Sequence, residues 1–275
     1  MKRKSLIFFM TFILGLTGMA MAQNETRANF TISSATDWTT FCNNVNNGTT
    51  YGTVYLANSI SVTTMCGTSE SKPFTGTFDG QGNTLTFNKN TSEDRCAPFR
   101  YVGDATFQNL KVTGTITTSK QFAGGFVSTV NSDCNCTFTN CVSDITINSS
   151  KSGDGTHGGF IAVTNQSSGT MTFNGCVFTG ELLGSSTTSS GGFLGWNFKL
   201  SWGGTITSNF TNCVFAPKSS ITMGTSDCAT FARSGDSNTS AILPSPTVTT
   251  PQVSAQPRAR NFTPLLQARM SPASL

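Results

Sequence analysis

Apolar residues recur in one short pattern four times in the middle of the chain. Each copy has Phe, then Asn or Gly two residues later, and then Leu or Cys. The two residues after the Leu or Cys continue a period-two alternation. The copies begin 31, 35 and 37 residues apart, and self-similarity at such a period indicates stacked structural repeats. The four copies are Phe107–Val112, Phe138–Ser143, Phe173–Phe178 and Phe210–Phe215.

The third position of this pattern predicts a bend between two short strands, because Asn and Gly both tolerate positive φ. After the bend, period-two alternation turns the Leu or Cys position inward, and Lys111 marks the next position as facing water. Like residues at like places predict an all-β fold, a right-handed parallel β-helix (β-solenoid). The bend residues are Asn109, Asn140, Gly175 and Asn212.

A second pattern, Gly-Gly-Phe and an apolar residue, precedes three of the four copies. It begins at Gly124, Gly158 and Gly191. Cys96–Phe99 is a degenerate version of it, so the repeats are predicted to extend over about 99–231.

These two patterns resemble the GLUG-type repeats of bacterial surface β-helix proteins. Phe74–Leu85, with an Asp-Gly-Gln-Gly turn, resembles the entry turn that those proteins place before their first full coil. The resemblance covers roughly Phe30 to Phe231. It implies an adhesin-like surface protein, but no particular activity, because the family has no shared catalytic set.

Helical periodicity is convincing in one place, over about 36–48. Apolar residues from Trp38 to Val45 fall at i, i+3, i+4 and i+7, and Thr36 or Asp37 can cap the start. A stack of repeats has unpaired strand edges at its ends. We therefore expect an N-terminal capping helix.

The first 22 residues have the composition of a secretory signal peptide. Lys2–Lys4 precede an apolar run, Leu6–Met19, and a small-residue cleavage site, Ala20–Ala22. An uncleaved membrane anchor is the alternative. No later apolar run reaches the roughly 20 residues of a membrane span. The mature chain is therefore expected to be secreted or at the cell surface, without a membrane span.

Charge is distributed unevenly along the chain. The signal peptide holds three positive charges and residues 242–275 hold three more, so the net +4 of the chain leaves −2 on residues 23–241. Nucleic-acid binding needs clustered Lys and Arg and is not expected for this β-helix domain. Six of the nine prolines lie in 242–275, which predicts a disordered tail.

Nine cysteines in an exported chain suggest disulfides. Cys141, Cys176 and Cys213 share one repeat position, where parallel side chains stay at the strand spacing instead of the roughly 3.8 Å between Cβ atoms that a disulfide prefers. We expect these three to be buried thiols. A bridge between Cys42 and Cys66 would join the capping helix to the first repeat. The other four cysteines are unassigned, and no spacing matches a zinc motif, so neither metal nor cofactor is expected.

Candidate catalytic residues are few. His157 is the only histidine, and its Gly-rich surroundings are similar to an element of polygalacturonases. Those enzymes also need paired acids, whereas Asp133, Asp144 and Asp154 share no repeat position. A loop histidine without function is expected. A polysaccharide-active β-helix enzyme, lyase or glycoside hydrolase, is the alternative to a non-catalytic protein.

A ligand is expected at the longest connection within the repeats, which begins after Phe193. It carries Trp196, Phe198, Lys199 and Trp202. Insertions in repeat proteins often map to the binding face, and indoles suit stacking on sugar rings. The alternative is that these aromatic residues pack over the repeat beneath. The expected function is adhesion, through binding of a glycan or a host protein.

Overall fold

Strands make up most of the computed structural model, which describes residues 27–151, 154–165, 168–184, 189–197, 206–219, 231–234 and 241–242. The predicted signal peptide and residues 243–275 lie outside these ranges. In chain order the elements are β1 (Phe30–Ile32), α1 (Ala35–Asn46), β2 (Thr53–Leu56), β3 (Ile60–Val62), β4 (Phe74–Asp79), β5 (Thr84–Phe87), β6 (Lys89–Thr91), β7 (Phe99–Gln108), β8 (Lys111–Thr118), β9 (Val127–Val130), β10 (Cys136–Thr139), β11 (Val142–Ser149), β12 (Ile161–Thr164), β13 (Gly169–Asn174), β14 (Val177–Phe178), β15 (Glu181–Gly184), β16 (Leu194–Asn197), β17 (Ile206–Thr211), β18 (Val214–Phe215), β19 (Ala232–Ser234) and β20 (Ala241–Ile242).

The paired strands form two sheets, and every pair of named strands is parallel. Sheet A runs β19-β16-β12-β9-β7-β10-β13-β17-β20, with β4, β2 and β1 joined to it at β7. Sheet B runs β18-β14-β11-β8-β5-β3, with β15 and β6 beside it. From β7 to β18 the chain passes back and forth between the two sheets, with one or two consecutive strands in each. The all-β prediction is confirmed at this level.

Strand β7 explains why sheet A continues in two branches. Its first residues pair with β9 and its last residues pair with β10. In the next repeat these two strands are separated by residues 131–135, and in the following repeat residues 165–168 separate β12 from β13. The single strand β7 therefore corresponds to two strands and an intervening connection in each of the next two repeats.

The bend predicted at the third position of the Phe pattern is confirmed. Asn109, Asn140 and Asn212 have φ of 51°, 52° and 53°, and Gly175 has φ of 61°. Each residue stands between a strand of sheet A and a strand of sheet B. The bend is thus the corner at which the chain leaves one sheet for the other.

A second set of left-handed residues precedes the strands of the other branch. Its members carry none of the residue types that favour this conformation, so the sequence does not predict it. Main-chain bonds between repeats hold the turns: the Arg95 N–H donates to the Gln121 carbonyl, and the Phe122 N–H donates to the Gly155 carbonyl. The members are Arg95, Phe122, Thr156 and Ser189, with φ of 64°, 63°, 46° and 57°.

Phenylalanines fill the core in two columns. Within a column the rings stack, as for Phe138 and Phe173, whose centroids are 5.1 Å apart at an interplanar angle of 4°. Between columns the rings meet edge to face, as for Phe138 and Phe160 at 5.5 Å and 80°. Both arrangements are favourable for aromatic rings. One column is Phe107, Phe138, Phe173 and Phe210, and the other is Phe126, Phe160, Phe193 and Phe231.

The predicted N-terminal helix is confirmed as α1. Its cap is Ser34, not Thr36 or Asp37: the Ser34 Oγ accepts the Asp37 N–H, and Asp37 in turn accepts the Ser33 N–H. Ser34 takes this place because its backbone is extended (φ −147°), while residues from Ala35 onward are helical. Trp38 and its neighbours on α1 are buried against phenylalanines of the first repeats.

Candidate functional site

Threonine side chains form a row across sheet A. Each of them directly precedes a buried phenylalanine in its strand, so alternation places it on the opposite face of the sheet. Every member is partly exposed, and neighbours in such a row lie about 4.8 Å apart. In register order, the row is Thr77, Thr106, Thr137, Thr172 and Asn209.

Hydrogen bonds tie a second polar row beside the first. The Asp104 carboxylate accepts the Asn135 N–H at 2.7 Å, and the Asn135 side-chain oxygen accepts the Thr170 N–H at 3.0 Å. Thr170 is in turn paired with Thr207 of β17. The side chains therefore replace part of the ladder between repeats and are held in place by it.

A third row follows on the bend side of the threonines and begins at Asp79. Burial opposes the charge on Asp79, yet hydrogen bonds from the Gln81 N–H, the Gln108 amide and the Asn109 amide lower its pKa. Its carboxylate is therefore charged and already occupied by donors. The row is Asp79, Gln108, Thr139, Asn174 and Thr211.

A shallow groove of about 310 Å³ lies where the first two rows meet. Asp104 is its one ionisable side chain, and Gly76, with φ of 104°, marks an irregular register between β4 and β7. Threonine hydroxyls and the Asn135 amide supply both donors and acceptors. The lining is Gly76, Thr77, Asp104, Ala105, Thr106, Asn135 and Thr137.

The structure places Trp196 in β16, not in a connection as predicted. Its backbone pairs with Val163 of β12, so the strand continues through it. The Arg233 guanidinium carbon is 4.0 Å from the centroid of the indole, and Arg233 also donates to the Ser189 carbonyl and forms an ion pair with Asp154. One face of the ring is thus already covered, which favours the packing alternative for Trp196.

The other predicted ligand residues, Phe198, Lys199 and Trp202, lie outside the described residues. Their part in binding stays a prediction. The threonine rows were missed by sequence reasoning, although a signal was present: Thr directly precedes Phe at 77, 106, 137 and 172.

Cys42 of α1 and Cys66 are buried neighbours. Burial raises the pKa of the Cys66 thiol, and a hydrogen bond with Cys42 adds to this effect. In the structure both are free thiols, and the predicted bridge between them stays a prediction. Cys141, Cys176 and Cys213 are also buried free thiols.

His157 lies in a loop between strands, as expected, but its side chain is fully buried between repeats. Its Nδ1 accepts the Ala123 N–H at 3.1 Å, while its Nε2 has no partner. Burial lowers its pKa to about 4, although Asp154 acts in the opposite direction. The imidazole is therefore neutral near pH 7 and does not reach solvent.

Within the described ranges, no three His, Cys, Asp or Glu side chains are grouped so that they could hold a metal ion. The same part of the chain contains no helix with the length and hydropathy needed to cross a membrane. Comparisons with family models, with curated proteins and with solved structures give no match.

Proposed function

We propose that this chain is an exported, non-catalytic surface protein that binds an extended glycan along the outer face of sheet A. Its repeats coil as a right-handed parallel β-helix, resembling GLUG-repeat adhesins. The alternation of the chain between two parallel sheets supports the coil, since equivalent phenylalanines then stack on successive turns.

The observation that carries the binding proposal is the row of threonines beside the groove. A polymer that crosses the strands meets an equivalent hydroxyl about every 4.8 Å. Sugar hydroxyls both donate and accept hydrogen bonds, as do the threonines and Asn135. Because these groups stand on strands held by ladders on both sides, little ordering is required when a ligand binds.

The alternative, a polysaccharide-active enzyme, has less support. Glycoside hydrolysis uses two carboxyl groups across the scissile bond, and the groove contains Asp104 alone. The histidine that suggested polygalacturonase-like chemistry is buried away from solvent. Neither observation favours a hydrolase or a lyase.

The test compares two pairs of substitutions on the secreted full chain. Thr106→Val with Thr137→Val removes two neighbouring hydroxyls from the row on sheet A. Thr115→Val with Thr146→Val is the matched control, since these residues are also neighbours in register, but on sheet B. Binding is measured on a glycan array and by calorimetry with the best oligosaccharide.

The expected result is that the sheet A pair weakens binding at least tenfold, while the sheet B pair leaves it unchanged. A reducing-sugar assay runs beside the array. Equal binding by both pairs would contradict the proposed face, and release of reducing ends would contradict the non-catalytic assignment.

A further inference from the structure

A second polar and aromatic cluster lies at the opposite end of β7 from the groove. The Arg95 guanidinium carbon is 4.6 Å from the centroid of the Phe122 ring and 5.8 Å from that of Tyr101. Arg95 and Phe122 occupy equivalent left-handed turns of successive repeats. Two rings from different parts of the chain therefore hold one guanidinium.

Arg95 differs from two other half-buried arginines in having no anionic partner. Arg100 is paired with Glu93 at 3.0 Å, and Arg233 is paired with Asp154 at 3.4 Å. Among the described residues, no ion pair involves Arg95. Its buried Nε has no hydrogen-bond partner, a feature that it shares with Arg100. The guanidinium of Arg95 is therefore held between rings, and no carboxylate of the described residues accepts from its N–H donors.

We infer that Arg95, Tyr101 and Phe122 form a subsite for the carboxylate of an acidic sugar residue. The planar guanidinium matches a carboxylate through two parallel hydrogen bonds. One face of the Phe122 ring is already covered by the guanidinium, so the rings contribute by holding the fork in place. A sulfate ester offers related anion chemistry, but a carboxylate fits the planar fork better.

This inference rests on the proposed function, because it takes the ligand to be a glycan. Tyr101 lies five residues before Thr106 on the same strand, a distance of about 17 Å. Because the threonine row crosses the strands, a ligand that fills both the subsite and the groove must extend along β7 as well as across it. The substrate class that follows is a uronic-acid-containing polysaccharide.

Two substitutions of Arg95 distinguish the role of the planar guanidinium from the role of its positive charge and from the role of the left-handed turn. Arg95→Gly removes the side chain while suiting the left-handed backbone. Arg95→Lys keeps a positive charge but loses the fork. The control, Lys218→Gln, removes one positive charge beside Asp144 on sheet B. Melting temperatures check that each variant folds.

Calorimetry on the full chain uses three probes: an oligogalacturonate, its methyl ester and a sulfated neutral oligosaccharide of equal length. We expect the oligogalacturonate to bind at least tenfold more tightly than the ester, and both Arg95 variants to lose that advantage. Lys218→Gln should retain it.

Three outcomes would overturn the inference. Equal binding of acid and ester, or no binding of the acid, removes the carboxylate subsite, while the groove variants still decide the proposed function separately. Retention of the advantage by Arg95→Gly removes the role of Arg95. If the protein prefers the sulfated probe and Arg95→Lys keeps that preference, the site recognises an anion by its charge alone and not through the planar fork.

Discussion

Part of the destabilisation of this protein by acid should come from His157. The imidazole is fully buried, one nitrogen accepts the Ala123 N–H, and the other has no partner. Protonation would place a charge in this buried site. It would also convert the accepting nitrogen into an N–H donor that faces the Ala123 N–H, so the hydrogen bond between them would be lost. Burial therefore lowers the pKa of His157 to about 4.

The size of the effect follows from linkage. The unfolded chain binds the proton with a pKa near 6.5, and the folded chain does so only near 4. Below pH 6.5 the unfolded state binds more protons, so the stability contribution is complete above pH 6.5 and is lost as pH falls toward 4. At about 1.36 kcal/mol per pKa unit, the loss approaches roughly 3 kcal/mol.

Urea denaturation between pH 8 and pH 4 measures this loss. The matched variant is His157→Asn, whose side-chain oxygen can accept the Ala123 N–H but does not titrate. The difference in unfolding free energy between wild type and variant should shift by roughly 3 kcal/mol over this range, against the wild type in acid. Parallel pH profiles for the two proteins would refute the reasoning.

Three further predictions concern the bend, the core and the cysteines. Asn140→Ala should be less stable than Asn140→Gly by roughly 1 kcal/mol, because Ala is strained at positive φ; equal melting temperatures would contradict the bend. Phe138→Ala should cost about 3–5 kcal/mol in urea denaturation and Thr137→Ala less than about 1, and a similar cost for both would contradict the assignment of faces. Non-reducing mass spectrometry of the secreted chain should find Cys42 joined to Cys66, whereas alkylation of both without reductant would exclude the bridge.

Much of the fold could be predicted because the repeats carry their own register. The bend was readable because Asn and Gly at one position share tolerance of positive φ, and Lys111 distinguished the two faces of the following strand. Helix α1 was readable from the spacing of its apolar residues. Its cap was misplaced by two or three residues because Ser34, Thr36 and Asp37 are all suitable N-cap types.

Other features depend on contacts between repeats and could not be read locally. Arg95 and Phe122 adopt left-handed conformations against their own preference because main-chain bonds to the next repeat hold them. Trp196 was assigned to a connection on the length of the interval, whereas pairing with Val163 extends the strand through it. The disordered tail was predicted from 242, yet Ile242 pairs with Asn209.

The candidate groove could be predicted least. Each Thr-Phe pair is unremarkable in its own strand, and only the register of β4, β7 and β10 aligns the hydroxyls into a row. Asp104 gains its place because a backbone N–H of the next repeat binds it. Alignment across repeats is a property of the stack, not of any single segment.

Protection of Cys134 from alkylation tests glycan binding at the groove most directly. Of the described cysteines, Cys134 alone is not buried, and the next residue, Asn135, lines the groove. In a Cys228→Ala background, an oligosaccharide that binds should slow the alkylation of Cys134 in proportion to its occupancy. An unchanged rate at full occupancy would contradict the placement of the ligand on sheet A.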